Sequence, residues 1–145
     1  MKITNVQNVP RDAKIKNLII PLREGEVLLE ADQSQAESRI VAYKAEEMRL
    51  IGLFEHGEKI HEVVGSILWN KQINKKDNPI EYNAAKTISH ASNYGTSPQK
   101  IAQIILNDLG TAFSIAECRE KQNIYFQQFP RIQKLNCKLA LLQKD

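Results

Sequence analysis

The sequence has few cysteines and no long apolar run, which are features of zinc-binding, disulfide-bonded and membrane-spanning proteins. Its two cysteines, Cys118 and Cys137, show no C-x-x-C spacing, so neither a zinc site nor a disulfide framework is expected. There is no apolar signal-peptide core and no run of membrane-spanning length. Ser-His-Asp order, His-Glu-x-x-His spacing and a glycine-rich phosphate loop are also missing. These absences predict a soluble, cytoplasmic protein without a membrane partner.

The charge balance is mildly basic, and some of the cations are grouped. Of the 145 residues, 42% are hydrophobic and 26% charged, which is typical of one ordinary domain. The net charge of +3 permits an anionic partner without requiring one. The groups are Lys71, Lys75 and Lys76 in one connection, and Arg131, Lys134 and Lys138 at helical spacing. Each group is either a solvated surface or a track for a phosphate backbone.

Apolar periodicity predicts an α+β fold that is predominantly helical. One central strand is expected over 26–32, with its neighbours in the N-terminal residues, in another chain or in further sequence. The first helix is expected to bury Ala36, Ile40, Val41 and Tyr43. Helices are predicted over 34–44, 46–55, 58–69, 79–94, 98–110, 114–126 and 135–142.

An aspartate stands where the predicted strand meets the first helix. Asp32 follows the apolar run at 27–29, and α/β-type sheets usually bind ligands at the carboxyl ends of such strands. Ser34 and Glu37 also have the spacing of a capping box. The segment is therefore either a local helix start or a catalytic turn.

The helix predicted over 79–94 carries polar and aromatic side chains on one sector. They are Tyr82, Lys86, His90, Asn93 and Tyr94. A lysine for phosphate and rings that stack on a base suit a nucleotide, but a solvated face with half-buried tyrosines explains the same pattern. His61, near the start of the preceding helix, is either a further phosphate donor or an exposed polar residue.

Five segments in matching order resemble the polymerase domain of family A DNA polymerases, of the bacterial DNA polymerase I and phage type. NVQNVPR at 5–11 resembles the family's NLQNIP segment, and DQSQAESR at 32–39 resembles motif A, DYSQIELR. HGEKIH at 56–61 is similar to the G-x-D-I-H element. KTISHASNYG at 86–95 is similar to motif B, K-x-x-x-F/Y-x-x-x-YG, and YFQQFPRIQ at 125–133 to the stretch after the fingers helix.

The resemblance implies a role for each matching residue in template-directed deoxynucleotidyl transfer. Asp32 and the carbonyl of Gln33 would bind magnesium in a two-metal mechanism. Glu37 would be the steric gate against ribonucleotides, and Arg39 would support motif A. His61 and Lys86 would hold the triphosphate, with Lys86 also a candidate catalytic proton donor. The nucleotide-binding residues would further include Gln35, Glu37, His90 and Tyr94, with Tyr94 guarding the templating base. The primer-template would be contacted by Gln7, Asn8, Tyr94 and Gly95.

Three departures from the family pattern bear on activity. Tyr82 stands where motif B normally has an arginine, and His90 replaces the aromatic residue that stacks on the nucleotide. None of the three histidines precedes an aspartate, so the His-Asp pair of motif C and its metal-binding carboxylate are not found. Because magnesium requires near-octahedral oxygen ligation, one carboxylate is not sufficient. We expect these residues alone to lack polymerase activity.

The resemblance also implies a division of the chain. Residues 1–57 would be a partial palm with motif A, 58–129 the fingers with the nucleotide-binding helix at 79–95, and 130–145 the start of the return to the palm. A second polypeptide that supplies motif C would make the chain one part of a split enzyme. The alternatives are a non-catalytic remnant that binds DNA or serves as an interaction module, and a helical structural protein with chance matches.

Overall fold

Helices make up the regular structure of the part that the computed structural model describes, residues 20–21, 23–27 and 35–142. They are α1 (Ala36–Ala45), α2 (Met48–Glu55), α3 (Ile60–Trp69), α4 (Pro79–Asn93), α5 (Pro98–Leu109), α6 (Ile115–Gln128) and α7 (Pro130–Leu142). The prediction of a mostly helical chain is confirmed. The strand predicted over 26–32 is not shown. Glu26 and Val27 are not in a strand, and 28–32 lie outside the described residues, so the β part of the predicted α+β class has no support here.

The chain divides into two compact units, Met1–Ser34 and Gln35–Asp145. In the first, the described residues 23–26 form a turn in which the backbone N–H of Glu26 donates to the carbonyl of Arg23 at 3.3 Å. Gly25 has a φ of +85°, which only glycine adopts without strain. All seven helices belong to the second unit.

Helix α4 lies at the centre of the helical unit and packs against α1, α3, α5, α6 and α7. Its packing surface consists of the residues that the periodicity set apart from the polar sector. They are Ala84, Ala85, Ile88, Ala91 and Ser92, all 7% exposed or less. Because small side chains let neighbouring helix axes approach closely, one helix can contact five others.

Local capping signals explain most of the helix ends. Ser114 precedes α6 and forms a complete capping box with Glu117: the hydroxyl accepts from the Glu117 amide at 3.1 Å, and the carboxylate accepts from the Ser114 amide at 2.8 Å. Ser97 caps α5 by accepting from the amide of Lys100. Pro79 and Pro98 occupy first-turn positions, where the missing N–H costs nothing.

Four helix starts differ from the prediction by two residues or more. Helices α2 and α3 begin at Met48 and Ile60, each two residues later than predicted. Helix α1 begins at Ala36 with Gln35 as its N-cap, not at Ser34, which lies outside the described residues. Helix α7 begins at Pro130, five residues earlier than the predicted start at Leu135. The reason is tertiary, since the buried carboxylate of Glu47 accepts from the backbone N–H of Arg131 at 3.0 Å and satisfies a first-turn donor.

The burial prediction for α1 is wrong for two of its four residues, since Ala36 and Val41 are partly buried and Val41 packs against the core. Ile40 is 58% and Tyr43 51% exposed, and Ala42 is the residue of this helix that is fully buried. Within the described ranges, no helix is long and apolar enough to cross a bilayer.

Candidate functional site

The predicted site residues divide into a described and an undescribed group. Asp32, Gln33, Gln7 and Asn8 lie outside the described residues. The others lie on or beside three helices: Gln35 and Glu37 at the start of α1, His61 in the first turn of α3, and Lys86, His90, Tyr94 and Gly95 on and just after α4.

Glu37 joins the start of α1 to the C-terminal half of α4. Its Oε2 lies 2.7 Å from Nε2 of His90 and accepts from the hydroxyl of Tyr94 at 3.1 Å. The His90 and Tyr94 rings lie 5.3 Å apart between centroids, tilted by 58°. The bond to His90, then the bond to Tyr94, lowers the pKa of the Glu37 carboxyl. The structure therefore brings the predicted gate into contact with two predicted nucleotide-binding residues.

His61 is a partly buried imidazole near two cationic side chains. Burial, and then the charges of Lys86 and His90, lowers its pKa to about 4, so the ring is neutral at physiological pH. Its Nδ1 is buried without a hydrogen-bond partner among the described residues, and its ring meets Tyr82 edge-on at 5.9 Å. An unpaired buried nitrogen costs free energy unless something else binds it, so this atom is a candidate for ligand contact.

Lys86 lies on the exposed side of α4, one helical turn before His90. It has no carboxylate partner within 35–142, whereas Lys71 is paired with Glu81 at 2.7 Å. An unpaired ammonium beside a neutral imidazole is suited to a phosphate group.

Gln35 occupies the turn that leads into α1. Its backbone is left-handed, with φ of +54°, and its Oε1 is buried without a hydrogen-bond partner among the described residues. Two residues after Glu37, Arg39 donates from Nη2 to the carbonyl of Phe54 at 3.4 Å, with its guanidinium 4.8 Å from the centre of the Phe54 ring. Arg39 thus ties α1 to α2.

Gly95 ends α4 as the sequence predicts. Its φ is +66°, its N–H donates to the carbonyl of Ser92 at 3.1 Å, and the N–H of Thr96 donates to that of Ala91 at 3.0 Å. These are the two bonds of a Schellman motif, which favours glycine at this position. The motif fixes the direction of the chain immediately after Tyr94.

Buried hydrogen bonds hold the end of α4 from behind, and periodicity did not predict them. Asn93, which the pattern placed on the polar sector, is only 5% exposed. Its Oδ1 accepts from the Tyr125 hydroxyl at 2.8 Å, and its Nδ2 donates to Ser38 Oγ at 3.4 Å. Gln122 donates to the Thr96 carbonyl at 2.8 Å. Nothing in the sequence signals these contacts, because their partners lie 26 to 55 positions apart.

The described side chains at the site do not form a magnesium centre. No group of three or more metal-ligating side chains occurs in 20–21, 23–27 or 35–142. Glu37 is the carboxylate of the site, and it already accepts from two partners. Magnesium prefers several oxygen ligands, so the described donors do not fit it.

Comparison with known proteins decides the family. The model of DNA polymerase family A matches residues 1–141. The chain belongs to DNA polymerase family A. The family A match spans both compact units and includes all five motif segments.

Bacterial relatives agree with this assignment. The chain is 30% identical over 132 residues to the thermostable DNA polymerase I of Thermus aquaticus, and equally to DNA polymerase I of Caldicellulosiruptor bescii. It is 30% identical over 134 residues to DNA polymerase I of Streptococcus pneumoniae. Each match covers 88% of this family A chain but only 14–15% of the relative.

Proposed function

We propose that this chain is part of a DNA-directed DNA polymerase that adds deoxynucleotides to a primer. Family membership and the ordered motifs support this. In that role residues 1–57 belong to the palm, 58–129 to the fingers and 130–145 to the return to the palm. DNA primer-template and deoxynucleoside triphosphates are the corresponding substrates.

The observation that carries the proposal is the meeting of three basic side chains from α3 and α4. Lys86 is exposed on α4 one helical turn before His90, and the Nδ1 of His61 on α3 is buried without a partner among the described residues. Burial, and then the charges of Lys86 and His90, lowers the pKa of His61. Such a cluster suits a triphosphate, with the lysine as point charge and the imidazoles as directional donors. Lys86 would also protonate the departing pyrophosphate, as the family resemblance implies.

Glu37 would discriminate against ribonucleotides from a fixed position. An unrestrained glutamate samples several rotamers, whereas Glu37 is held through Oε2, which contacts both His90 and Tyr94 of α4. A carboxylate fixed in this way excludes the extra hydroxyl of a ribose sugar more strictly than a mobile one. His90 therefore takes part in sugar selection through Glu37, in addition to any stacking on the base.

The residues that would bind the metal, Asp32 and Gln33, lie outside the described residues. The Asp32 carboxylate and the Gln33 carbonyl are oxygen donors of the type magnesium prefers, and magnesium would supply positive charge at the reacting phosphate. Since the sequence has no His-Asp pair, we propose that residues 1–145 alone do not extend a primer.

Nucleotide binding is the direct test. Titration of the chain with a fluorescent deoxynucleoside triphosphate is expected to give saturable binding that Lys86→Ala weakens on the order of tenfold, since one charge-assisted contact is lost. Lys100→Ala is the matched control, because Lys100 is equally exposed and lies in the first turn of α5. Equal weakening by both variants, or no saturable binding, would count against the proposed site.

Primer extension tests the catalytic part. The chain alone is expected to be inactive, and addition of a family A segment that carries motif C is expected to restore extension. That activity should disappear with Asp32→Ala. Robust primer extension by the chain alone would overturn the proposal that it is inactive. If no added segment restores extension, the non-catalytic DNA-binding alternative is favoured.

A further inference from the structure

A basic groove lies between the end of α1 and the outer face of α7, and none of its lining residues belongs to the proposed nucleotide site. Its polar lining consists of Lys44, Glu46, Arg131, Lys134 and Lys138, and Leu135 forms part of its apolar lining. Four cations and one carboxylate face this space, a net charge of +3. The groove therefore carries as much net positive charge as the whole chain.

The cations on α7 form one line. Arg131, Lys134 and Lys138 are separated by three and four positions, which places them on a single helical face. At a rise of about 1.5 Å per residue they span roughly 10 Å. That length corresponds to about three steps of a nucleic-acid strand at roughly 3.4 Å per step. The line is thus long enough to lie along about three phosphate steps of one strand.

Within 35–142, local pairing neutralises only one of the four cations, Arg131. Arg131 donates from Nη1 to the Glu46 carbonyl at 2.9 Å and lies 3.4 Å from its carboxylate, which fixes the guanidinium at the groove edge. The three lysines have no carboxylate partner within 35–142. An ordinary solvated helix face intersperses both signs, as in the pair of Lys121 with Glu120.

We propose that this groove binds the sugar-phosphate backbone of a nucleic-acid strand without reading its sequence. The cations neutralise successive phosphates, while Leu135 gives the sugars an apolar contact. The lysines act as point charges without a bidentate fork, and the Arg131 guanidinium already donates to Glu46, so the contact positions the strand and does not specify it. The proposal extends the proposed function by a second nucleic-acid contact and does not depend on nucleotide binding or catalysis.

The test uses the full chain and a fluorescein-labelled 20-mer of deoxythymidine, with anisotropy read across a salt series. Lys134→Gln combined with Lys138→Gln is expected to weaken binding on the order of tenfold. It should also reduce the slope of log K against log salt by about 1.4, because each of two lost phosphate contacts on a single strand contributes about 0.7. Lys75→Gln combined with Lys76→Gln is the matched control: it removes the same charge from an exposed loop and should leave the slope nearly unchanged.

Two results would overturn the proposal. One is an equal loss of affinity and slope in the groove and loop variants, which would mean that only net charge matters. The other is competition by polyglutamate as strong as that by unlabelled oligonucleotide, which would mean that any polyanion occupies the groove. Thermal unfolding of each variant confirms that it is folded. Because this assay contains no deoxynucleoside triphosphate, a negative result would contradict the groove proposal without bearing on the proposed nucleotide site at Lys86.

Discussion

Replacement of Gly65 by alanine is the sharpest test of how α3 packs against α4. A Cβ at this position would lie 2.9 Å from Cγ2 and 3.2 Å from Cβ of Ile73, and 3.5 Å from Cβ of Ala85. Ile73 is 2% exposed, is β-branched, and donates its N–H to Ser66 Oγ at 2.9 Å, so it has little freedom to move away. Gly52, inside α2, is the matched control, since its Cβ would meet nothing within 4 Å.

Two opposing effects determine how much each glycine-to-alanine substitution changes the free energy of unfolding. A glycine-to-alanine change inside a helix gains about 1 kcal/mol from helix propensity. Overpacking a filled core costs about 1–3 kcal/mol. Gly52→Ala is therefore expected to stabilise the protein by about 0.5–1 kcal/mol, and Gly65→Ala to lower the free energy of unfolding by up to about 2 kcal/mol.

Urea unfolding, followed by circular dichroism at 222 nm, measures both variants. A second comparison isolates the cause: in an Ile73→Leu background, which has no methyl group on Cβ, the Gly65→Ala penalty should shrink by about 1 kcal/mol. If Gly65→Ala stabilises the chain as much as Gly52→Ala does, or its cost is the same in both backgrounds, the close contact with Ile73 is not what holds α3 against α4.

Two further predictions concern buried polar groups. The unfolded chain protonates His61 near pH 6.5 and the folded chain near 4, so the folded state binds fewer protons between these values and stability falls as pH decreases through this window. The full pKa difference corresponds to roughly 3 kcal/mol of unfolding free energy, and partial exposure of the ring reduces this to about 1–2 kcal/mol. Urea unfolding at pH 7 and pH 4 should therefore show a smaller loss of stability at pH 4 for His61→Gln than for the wild type. Tyr125→Phe leaves the buried Oδ1 of Asn93 without its donor and should cost about 1–3 kcal/mol, whereas Tyr43→Phe, which removes an exposed hydroxyl, should leave the urea midpoint unchanged. Equal pH dependence for His61→Gln and wild type, or equal midpoints for the two tyrosine variants, would contradict these assignments.

Signals that act over a few residues were readable in the sequence. Ser114 and Glu117 contain a complete helix start, and Gly95 supplies the left-handed backbone that ends α4 after Tyr94. Helical periodicity likewise separated the packed alanines of α4 from Lys86 and His90. These features follow from backbone geometry and neighbouring side chains alone, so no knowledge of the tertiary fold is needed to predict them.

Contacts between distant residues were decided only by the packing of helices. The sequence places Glu37 and His90 53 positions apart, and the tertiary fold brings their side chains to 2.7 Å. The same packing buries Asn93, which periodicity assigned to the polar sector, and starts α7 at Pro130 because Glu47 reaches its first turn. The sequence by itself determined the helices, the order of the motifs and the family resemblance. The tertiary structure decided which polar groups meet, because that depends on the angles and separations of helices that no local pattern encodes.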